Sequence, residues 1–227
     1  MLSLVALDMA GTTIDEGGAV YASLKKTVEA AIGTTLSEEQ LRSAMGANKR
    51  DAIRAFLDEF GMDSSAEAVE RMYQDFRAEM VSAYEAHPPK ALPGVEEALT
   101  RLRANGIRVA LTTGFSRSIV ALILENLGWT VGEGPEHTVD LVVTADDVAA
   151  GRPAPDLVQH AMKVFGIDDP QQVLSAGDTE LDLLSGTNAG ARYVVAVSTG
   201  AQPVELLRTF PHTDVCDVQD LPALLGV

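Results

Sequence analysis

Short apolar runs alternate with longer amphipathic segments over most of the chain. The first run, residues 2–7, ends at Asp8 and predicts a buried strand. Later runs of similar length are separated by segments whose apolar residues recur at helical spacing, which predicts βαβ units and a parallel sheet with right-handed crossovers. The later predicted strands are 107–113, 139–144, 173–176 and 193–197, and the helices among them are 95–105, 116–127, 155–165 and 180–189.

The region between residues 19 and 87 differs, because it carries helical patterns and few strand signals. The segment 51–60 places Ile53, Phe56, Leu57 and Phe60 on one face. The apolar side chains of this region, among them Phe56, Phe60, Met72 and Phe76, indicate helix packing rather than a substrate pocket. The other predicted helices are 19–32, one that starts with a capping-box spacing at 37–40, and 66–87. The proline-rich stretch 87–94 predicts a linker between this helical region and the alternating strands and helices that follow.

These patterns predict an α/β fold: a Rossmann-like, doubly wound parallel sheet with an all-helical cap inserted after the first strand. We expect residues 1–14 and 91–227 to form the core and residues 15–90 to form the cap. A length of 227 residues is sufficient for such a core and a smaller insertion. A cap of this kind is expected to close over the site by hinges near 14–18 and 87–93.

The charge of the chain narrows the classes of partner. With 17 basic and 33 acidic side chains, the net charge is −16, which disfavours nucleic acid and anionic membranes as partners. One cysteine excludes an internal disulfide, and four scattered histidines lack metal-ligand spacing. The short apolar start lacks a basic leader, and no apolar run has the length of a membrane span, so we expect a cytoplasmic protein.

Four polar segments follow predicted strands. They are the segment that begins at Asp8, the pair Thr113 and Gly114, the loop 151–156, and the segment 177–182. Each by itself is typical of a turn or a helix cap. In open parallel sheets, however, ligands bind beyond the carboxyl ends of the strands, and four such segments in this order predict a site there.

The residue types in these segments suit phosphoryl chemistry, which requires a nucleophile, positive charge and hydrogen-bond donors. Asp8 offers a nucleophilic carboxylate, and Asp8 with Asp178 forms an oxygen-rich pair suited to Mg²⁺, which would relieve their repulsion. Arg152 offers a fixed positive charge. The Thr113 hydroxyl and the backbone N–H groups of residues 9–12 and 114, Thr12 and Gly114 among them, are candidate donors to phosphoryl oxygens.

The four segments resemble the four motifs of the haloacid dehalogenase superfamily, and the resemblance spans the whole chain. Within it, the chain is most similar to the phosphonoacetaldehyde hydrolase (phosphonatase) branch and its phosphonatase-like relatives. Three features carry this: Ala10 where most family phosphatases have a second Asp, Arg152 where most members have Lys, and the run 144–153.

The resemblance implies a set of roles. Asp8 would attack phosphorus and form an aspartyl-phosphate, while Thr113 and Arg152 would bind phosphoryl oxygens. Mg²⁺ would be held by Asp8, the Ala10 carbonyl and Asp178, with support from Asp182. Ala10 cannot act as the acid and base that Asp provides in other members. The phosphonatase branch manages without it because its carbon leaving group is made labile by a Schiff base between a cap lysine and the substrate aldehyde.

Lys49 matches that lysine relative to Met45 and Gly46, and Met45 is expected to contact the substrate. Imine formation requires a neutral amine, so the Lys49 pKa would have to fall below about 10.4. The alternative is a solvated or phosphate-steering lysine at the start of a cap helix. Ala52 stands where the branch has a histidine that assists proton transfer, and this departure concerns the substrate rather than the family.

Three functions therefore remain open at the level of sequence. The first is Mg²⁺-dependent hydrolysis of the C–P bond of phosphonoacetaldehyde or a close analogue. The second is a phosphate-monoester phosphatase for a small metabolite, and the third is a weakly active phosphoryl-binding or sensing protein. In all three the partner is a small phosphorylated or phosphonate compound, and the resemblance also allows a homodimer formed through the cap.

Overall fold

The computed structural model describes residues 2–44 and 48–227 and contains a six-stranded parallel sheet. The strand order is β5-β4-β1-β6-β7-β8, so β1 lies at the centre between β4 and β6. This arrangement confirms the predicted α/β class. The strands are β1 Leu4–Asp8, β4 Arg108–Thr112, β5 Leu141–Val143, β6 Val173–Gly177, β7 Tyr193–Ala196 and β8 Asp214–Val215.

Helices cover both faces of this sheet, so its central strand is buried on both sides. Val5 and Leu7 of β1 pack in one apolar cluster, whereas Leu4 and Ala6 pack in another on the opposite face. All five residues of β1 are buried, which explains its nearly continuous apolar sequence. The core helices are α5 Val95–Ala104, α6 Arg117–Leu127, α7 Asp156–Val164, α8 Glu180–Asn188, α9 Val204–Leu207 and α10 Leu221–Leu225.

Four helices lie between two short strands, β2 (Ile14–Asp15) and β3 (Lys90–Ala91), which pair antiparallel. The chain therefore leaves the core and returns to it at one place. The sequence did not predict this pair, because two-residue strands carry no periodic signal. The helices between them are α1 Ala19–Ile32, α2 Glu38–Ser43, α3 Lys49–Glu59 and α4 Ala66–Ala86, and α1 and α3 both pack on α4.

Phe56, Met72 and Phe76 are buried in the apolar cluster that these helices share with the core, which confirms their predicted packing role. The predicted capping box is also present, since Gln40 N–H donates to Ser37 Oγ at 3.1 Å and Ser37 N–H donates to Gln40 Oε1 at 2.9 Å. The local signals were thus sufficient for these helices.

Helix α3 begins two residues earlier than the apolar pattern predicts. The side chain of Asn48 caps it, with Oδ1 accepting a hydrogen bond from Arg50 N–H at 2.9 Å. Lys49 is consequently the first residue of the helix rather than part of the preceding loop. This start places the amine of Lys49 at the positive end of a helix.

The longest helix, α4, has 21 residues, which is the length of a bilayer span. It carries charged side chains along its whole length, among them Glu67, Arg71 and Glu79. Within the described residues, no helix is both long enough and apolar enough to cross a membrane.

Candidate active site

Asp8 ends the central strand and is the point on which the polar segments converge. Its side chain is buried, and its Oδ1 lies 2.7 Å from Nη1 of Arg152, which arrives from the loop after β5. The two residues are 144 positions apart in sequence, and the parallel pairing of β1 with β4 and of β4 with β5 brings their loops to one edge. The structure therefore places the predicted nucleophile and the predicted cation in direct contact.

All three guanidinium nitrogens of Arg152 contact oxygen atoms of the protein. Nη2 donates to both the carbonyl and the Oγ1 of Thr112 at 3.0 Å, and Nε lies 2.9 Å from Oδ1 of Asp182. Burial by itself would lower the pKa of Arg152, but the carboxylates of Asp182 and Asp8 raise it above its usual range. A planar cation held in this way orients two carboxylates at once, which a lysine ammonium could not do with the same geometry.

Asp8, Asp178 and Asp182 form a buried acidic cluster, in which one oxygen from each lies within 4.8 Å of the others. Burial raises the pKa of Asp8 well above its ordinary value, and Asp182 and Asp178 raise it further against the opposing effect of Arg152. Burial, followed by repulsion from Asp182, raises the pKa of Asp178 to about 6. The single positive charge of Arg152 therefore does not neutralise the charge of the three carboxylates.

The hydrogen bonds that hold Asp178 and Asp182 leave the acidic cluster in an arrangement that suits a divalent cation. Asp178 is fixed by Thr12 Oγ1, which donates to its Oδ1 at 3.1 Å, and by Ala201 N–H, which donates to its Oδ2 at 2.6 Å. Asp182 Oδ2 accepts from the N–H and Oγ1 of Thr179. Asp182 Oδ1 is buried and ion-paired with Arg152 Nε at 2.9 Å, but no well-aligned hydrogen bond reaches it from the described residues. Rigid carboxylates that keep lone pairs free in this way are the ligands that a hard cation such as Mg²⁺ takes.

Two glycines make this close packing around Asp178 feasible. A Cβ on Gly200 would lie 2.0 Å from Asp178 Oδ2, and one on Gly11 would lie 2.6 Å from the same oxygen. Gly11 also has a φ of +87°, in the region that favours glycine. The backbone of both loops can therefore approach the carboxylate in a way that other residues would prevent.

Adding Mg²⁺ is expected to raise the melting temperature by about 5–10 °C at one hundred times its Kd, because the cation neutralises the acidic cluster. At a fixed Mg²⁺ concentration, the rise will be larger at pH 7.5 than at pH 5. The folded pKa of Asp178, about 6, exceeds its ordinary value of 3.8. Its contribution to stability in the metal-free protein is therefore present below about pH 4 and is lost as the pH rises through about 6, while protons compete with metal at low pH.

Asp178→Asn is the matched variant, because its amide oxygen can accept from Ala201 N–H and its NH₂ group can donate to Thr12 Oγ1, while one negative charge is removed. We expect this variant to melt at a higher temperature than wild type without metal and to lose most of the Mg²⁺-induced rise. Differential scanning calorimetry at both pH values measures both effects. A full Mg²⁺ response in the variant would place the cation elsewhere.

Two expected donors near Asp8 are engaged inside the turn that follows it. Gly11 N–H donates to Ile14 O at 2.8 Å, and Thr12 N–H donates to Met9 O at 3.2 Å. With its hydroxyl also donated to Asp178, Thr12 has no hydrogen left for a phosphoryl oxygen, because a tight turn uses its own amides. Thr113 differs: its Oγ1 accepts from Phe115 N–H at 3.1 Å and keeps its own hydrogen to donate.

Lys49 is buried, with 4% of its surface exposed, and faces the same space as Asp8. Burial lowers its pKa to about 8, with Arg152 also lowering it and Asp8, Glu16 and Asp182 raising it. Its Nζ lies 3.4 Å from the carbonyl of Ala44. The lysine is therefore not the solvated side chain of the alternative interpretation. Met45, the expected substrate contact beside it, lies outside the described residues.

Tyr21 was missed at the level of sequence. It lies on α1, and its ring centroid is 5.3 Å from Lys49 Nζ. Nothing in the local pattern distinguished Tyr21 from a surface residue of an amphipathic helix, because Lys49, near which its ring lies, is 28 positions away. At Ala52, already noted as a departure from the histidine of the resembled branch, a buried methyl group packs in the core.

These residues line a narrow cavity of about 30 Å³, which is room for about one water molecule. The start of α3 borders it, since a Cβ on Gly151 would lie 3.6 Å from Cβ of Asn48. Arg50 Nη1 also lies 4.0 Å from Asp146 Oδ1, across the same boundary. The cavity is lined by Asp8, Ala10, Tyr21, Lys49, Thr113, Gly114, Phe115, Arg152, Asp178, Thr179 and Asp182.

Comparison with known proteins agrees with this geometry. Residues 5–196 match the family model of haloacid dehalogenase-like hydrolases. A phosphonoacetaldehyde hydrolase of Latilactobacillus sakei is 30% identical over 210 residues, which cover 88% of this chain and 77% of that protein.

Solved structures agree in fold. A hydrolase from Pseudomonas syringae has a TM-score of 0.83 at 24% identity and covers 100% of this chain and 98% of its own. A phosphonoacetaldehyde hydrolase like protein from Oleispira antarctica has a TM-score of 0.82 at 23% identity and covers 99% and 91%. The chain, with its buried aspartate at the end of the central strand, belongs to the haloacid dehalogenase-like hydrolase family.

Proposed function

We propose that the protein is a Mg²⁺-dependent hydrolase that cleaves the C–P bond of phosphonoacetaldehyde or a close analogue through an aspartyl-phosphate at Asp8. The observation that carries this proposal is a buried lysine, Lys49, whose pKa is lowered to about 8 in the same cavity as Asp8. Ala10 lines that cavity as well, and a methyl group there cannot protonate an alcohol leaving group. The likeness to phosphonoacetaldehyde hydrolases supports the same reaction.

The lowered pKa gives Lys49 the protonation state that imine formation needs. With a pKa of about 8, about one tenth of the amine is neutral at pH 7, against about one part in 3,000 for the ordinary value of 10.5. Its position at the start of α3 also disfavours the ammonium, because the N-terminus of a helix is positive. Lys49 can therefore attack an aldehyde and release water as the iminium forms.

The iminium then acts as an electron sink for the C–P bond. An oxygen of Asp8 bonds to phosphorus as the C–P bond breaks, and the bonding pair moves into the C–N system to give an enamine. Protonation of the enamine and hydrolysis release the aldehyde and restore Lys49, and a water molecule hydrolyses the aspartyl-phosphate to phosphate. Protonation on carbon explains why a carboxylate at position 10 is not needed for the leaving group.

The other residues of the cavity orient and stabilise the phosphoryl group. Arg152 holds Asp8 at 2.7 Å and offers positive charge, and Thr113 can donate its hydroxyl to a phosphoryl oxygen. When bound, Mg²⁺ would be held by Asp8, the Ala10 carbonyl and Asp178, with Asp182 in support, and would neutralise charge on the phosphoryl oxygens. We assign Thr12 to positioning Asp178.

The helical segment 15–90 is proposed to act as the cap that carries Lys49 to the core. A cavity of about 30 Å³ is too small to admit a substrate from solution, so the cap has to open before binding. The β2 and β3 pair, through which the chain enters and leaves the cap, is the proposed hinge. Small-angle scattering with a phosphoryl mimic and Mg²⁺ would then show a more compact particle than scattering without them.

Trapping with borohydride tests the proposal. Incubation with phosphonoacetaldehyde, Mg²⁺ and borohydride is expected to inactivate the enzyme and to add the mass of a reduced two-carbon adduct at Lys49, identified by peptide mass spectrometry. The initial trapping rate will rise with pH and level off above about 8, because only the neutral amine reacts. Lys49→Arg, matched in charge but unable to form an imine, is the control.

The alternatives predict other results. A phosphate-monoester phosphatase would be indifferent to borohydride and would release phosphate from small phosphate esters. A phosphoryl-binding protein would bind Mg²⁺ and phosphate mimics without turnover. Phosphate release from phosphonoacetaldehyde with no adduct at Lys49 would overturn the imine mechanism.

A further inference from the structure

A second cavity of about 360 Å³ adjoins the one that contains Lys49. The two share Ala10, Tyr21 and Asp178 as lining residues, so they meet at the position where other family members carry a larger acidic side chain. The second cavity, called the side cavity below, lies between β2, the start of α1 and the loop 199–201. Its volume is in the range of small-molecule sites, whereas the first cavity has room for about one water.

The side cavity carries negative charge. Asp15 and Glu16 line it, and within the described residues no lysine, arginine or histidine does. The two carboxylates are held in place, since Asp15 Oδ1 accepts from Gly17 N–H at 2.9 Å and Glu16 Oε2 accepts from Val20 N–H at 2.8 Å. A second anionic group on a substrate would be repelled here, while a neutral polar or cationic group would be accommodated.

We propose that the side cavity receives the part of the substrate that lies beyond its carbonyl carbon, and that it selects 2-oxoalkyl phosphonates whose extension is neutral or cationic. The inference rests on the proposed function. Once the cap has opened to admit substrate, the phosphoryl group and the carbonyl carbon lie between Asp8 and Lys49, and a space this narrow leaves only the adjoining side cavity for an extension. Ala10 and Tyr21 form the passage, and the Tyr21 ring faces the extension as it leaves Lys49.

Binding of unreactive phosphonates tests this inference separately from turnover. Three compounds share a three-carbon arm: 3-hydroxypropylphosphonate, 3-aminopropylphosphonate and 3-phosphonopropionate, which are neutral, cationic and anionic at the far end. Methylphosphonate is the reference without an arm. These compounds lack an aldehyde or ketone that could form an imine, so calorimetry on the Mg²⁺-loaded protein reports binding whether or not the enzyme cleaves C–P bonds.

We expect the neutral and cationic arms to bind about tenfold more tightly than the carboxylate arm, and Asp15→Asn with Glu16→Gln to reduce that ratio to about threefold or less. Both substitutions keep the oxygen that accepts the local backbone hydrogen bond. Ala201→Phe, which fills the side cavity from an exposed position, is expected to weaken the two favoured arms about tenfold more than methylphosphonate. Ala223→Phe, on α10, is the control for added bulk.

Tightest binding by 3-phosphonopropionate would overturn the inference, because the arm would then pair with Lys49 or Arg152 instead. Equal binding of all three arms, or an Ala201→Phe effect no larger than that of Ala223→Phe, would overturn it too. Either result leaves trapping at Lys49 unaffected. Conversely, an absent adduct at Lys49 with the binding order retained would refute the imine mechanism and keep the subsite.

Discussion

Asp8→Asn is expected to lower the rate of phosphate release at least about ten-thousandfold, because the amide cannot form the phosphoryl bond that the carboxylate forms. The variant should still fold. Asn has the same shape, and burial already disfavours the charge of Asp8, as its raised pKa shows. Arg152 keeps its contacts with Asp182 and Thr112, so it is not left as a buried cation without a partner.

The measurement is phosphate release at saturating Mg²⁺, together with the melting temperature of each protein. Asp63→Asn is the control, since Asp63 is a fully exposed cap residue that accepts a hydrogen bond from Ser65 N–H, which Asn also accepts. A variant that keeps more than about one hundredth of the wild-type rate with an unchanged melting temperature would mean that water attacks phosphorus directly.

Lys49→Arg is expected to lower C–P cleavage about a thousandfold or more, because a guanidinium keeps the positive charge but cannot form an imine. If Lys49 acted only through its positive charge, most of the cleavage rate would survive this substitution. The substitution therefore separates covalent catalysis from steering of the phosphoryl group, which removal of the charge would not do.

Combining the two variants with borohydride orders the steps. Asp8→Asn should still be trapped through Lys49, because the imine forms before the C–P bond breaks. Lys49→Arg should give no adduct. If Asp8→Asn also failed to react while its circular dichroism and melting temperature matched wild type, imine formation would depend on Asp8 and the proposed order would be wrong.

The positions of five of the six sheet strands, the class of fold and the convergence of the four polar segments follow from the sequence because each depends on local signals. A short apolar run that is bounded by a turn, such as 2–7, predicts a buried strand, and residues that follow parallel strands meet at one edge whatever the details of packing. Asp8, Thr113, Arg152 and Asp178 could therefore be selected before any distance was known.

The tertiary structure decided those properties that depend on pairs of residues distant in the sequence. Lys49 has a lowered pKa because the fold buries it and places it near Arg152, and the sequence shows only that Arg50 and Asp51 are its neighbours. Thr12 turned out to hold Asp178, 166 positions away, rather than to face substrate.

Tyr21 and the side cavity were likewise invisible in the sequence, since their walls come from β2, α1 and the loop 199–201. Helical and strand periods report which face of an element is apolar. They do not report which element lies opposite, how much water remains between them, or how far a buried charge is from its partner. Those quantities determine the chemistry of this site, and they exist only once the chain has packed.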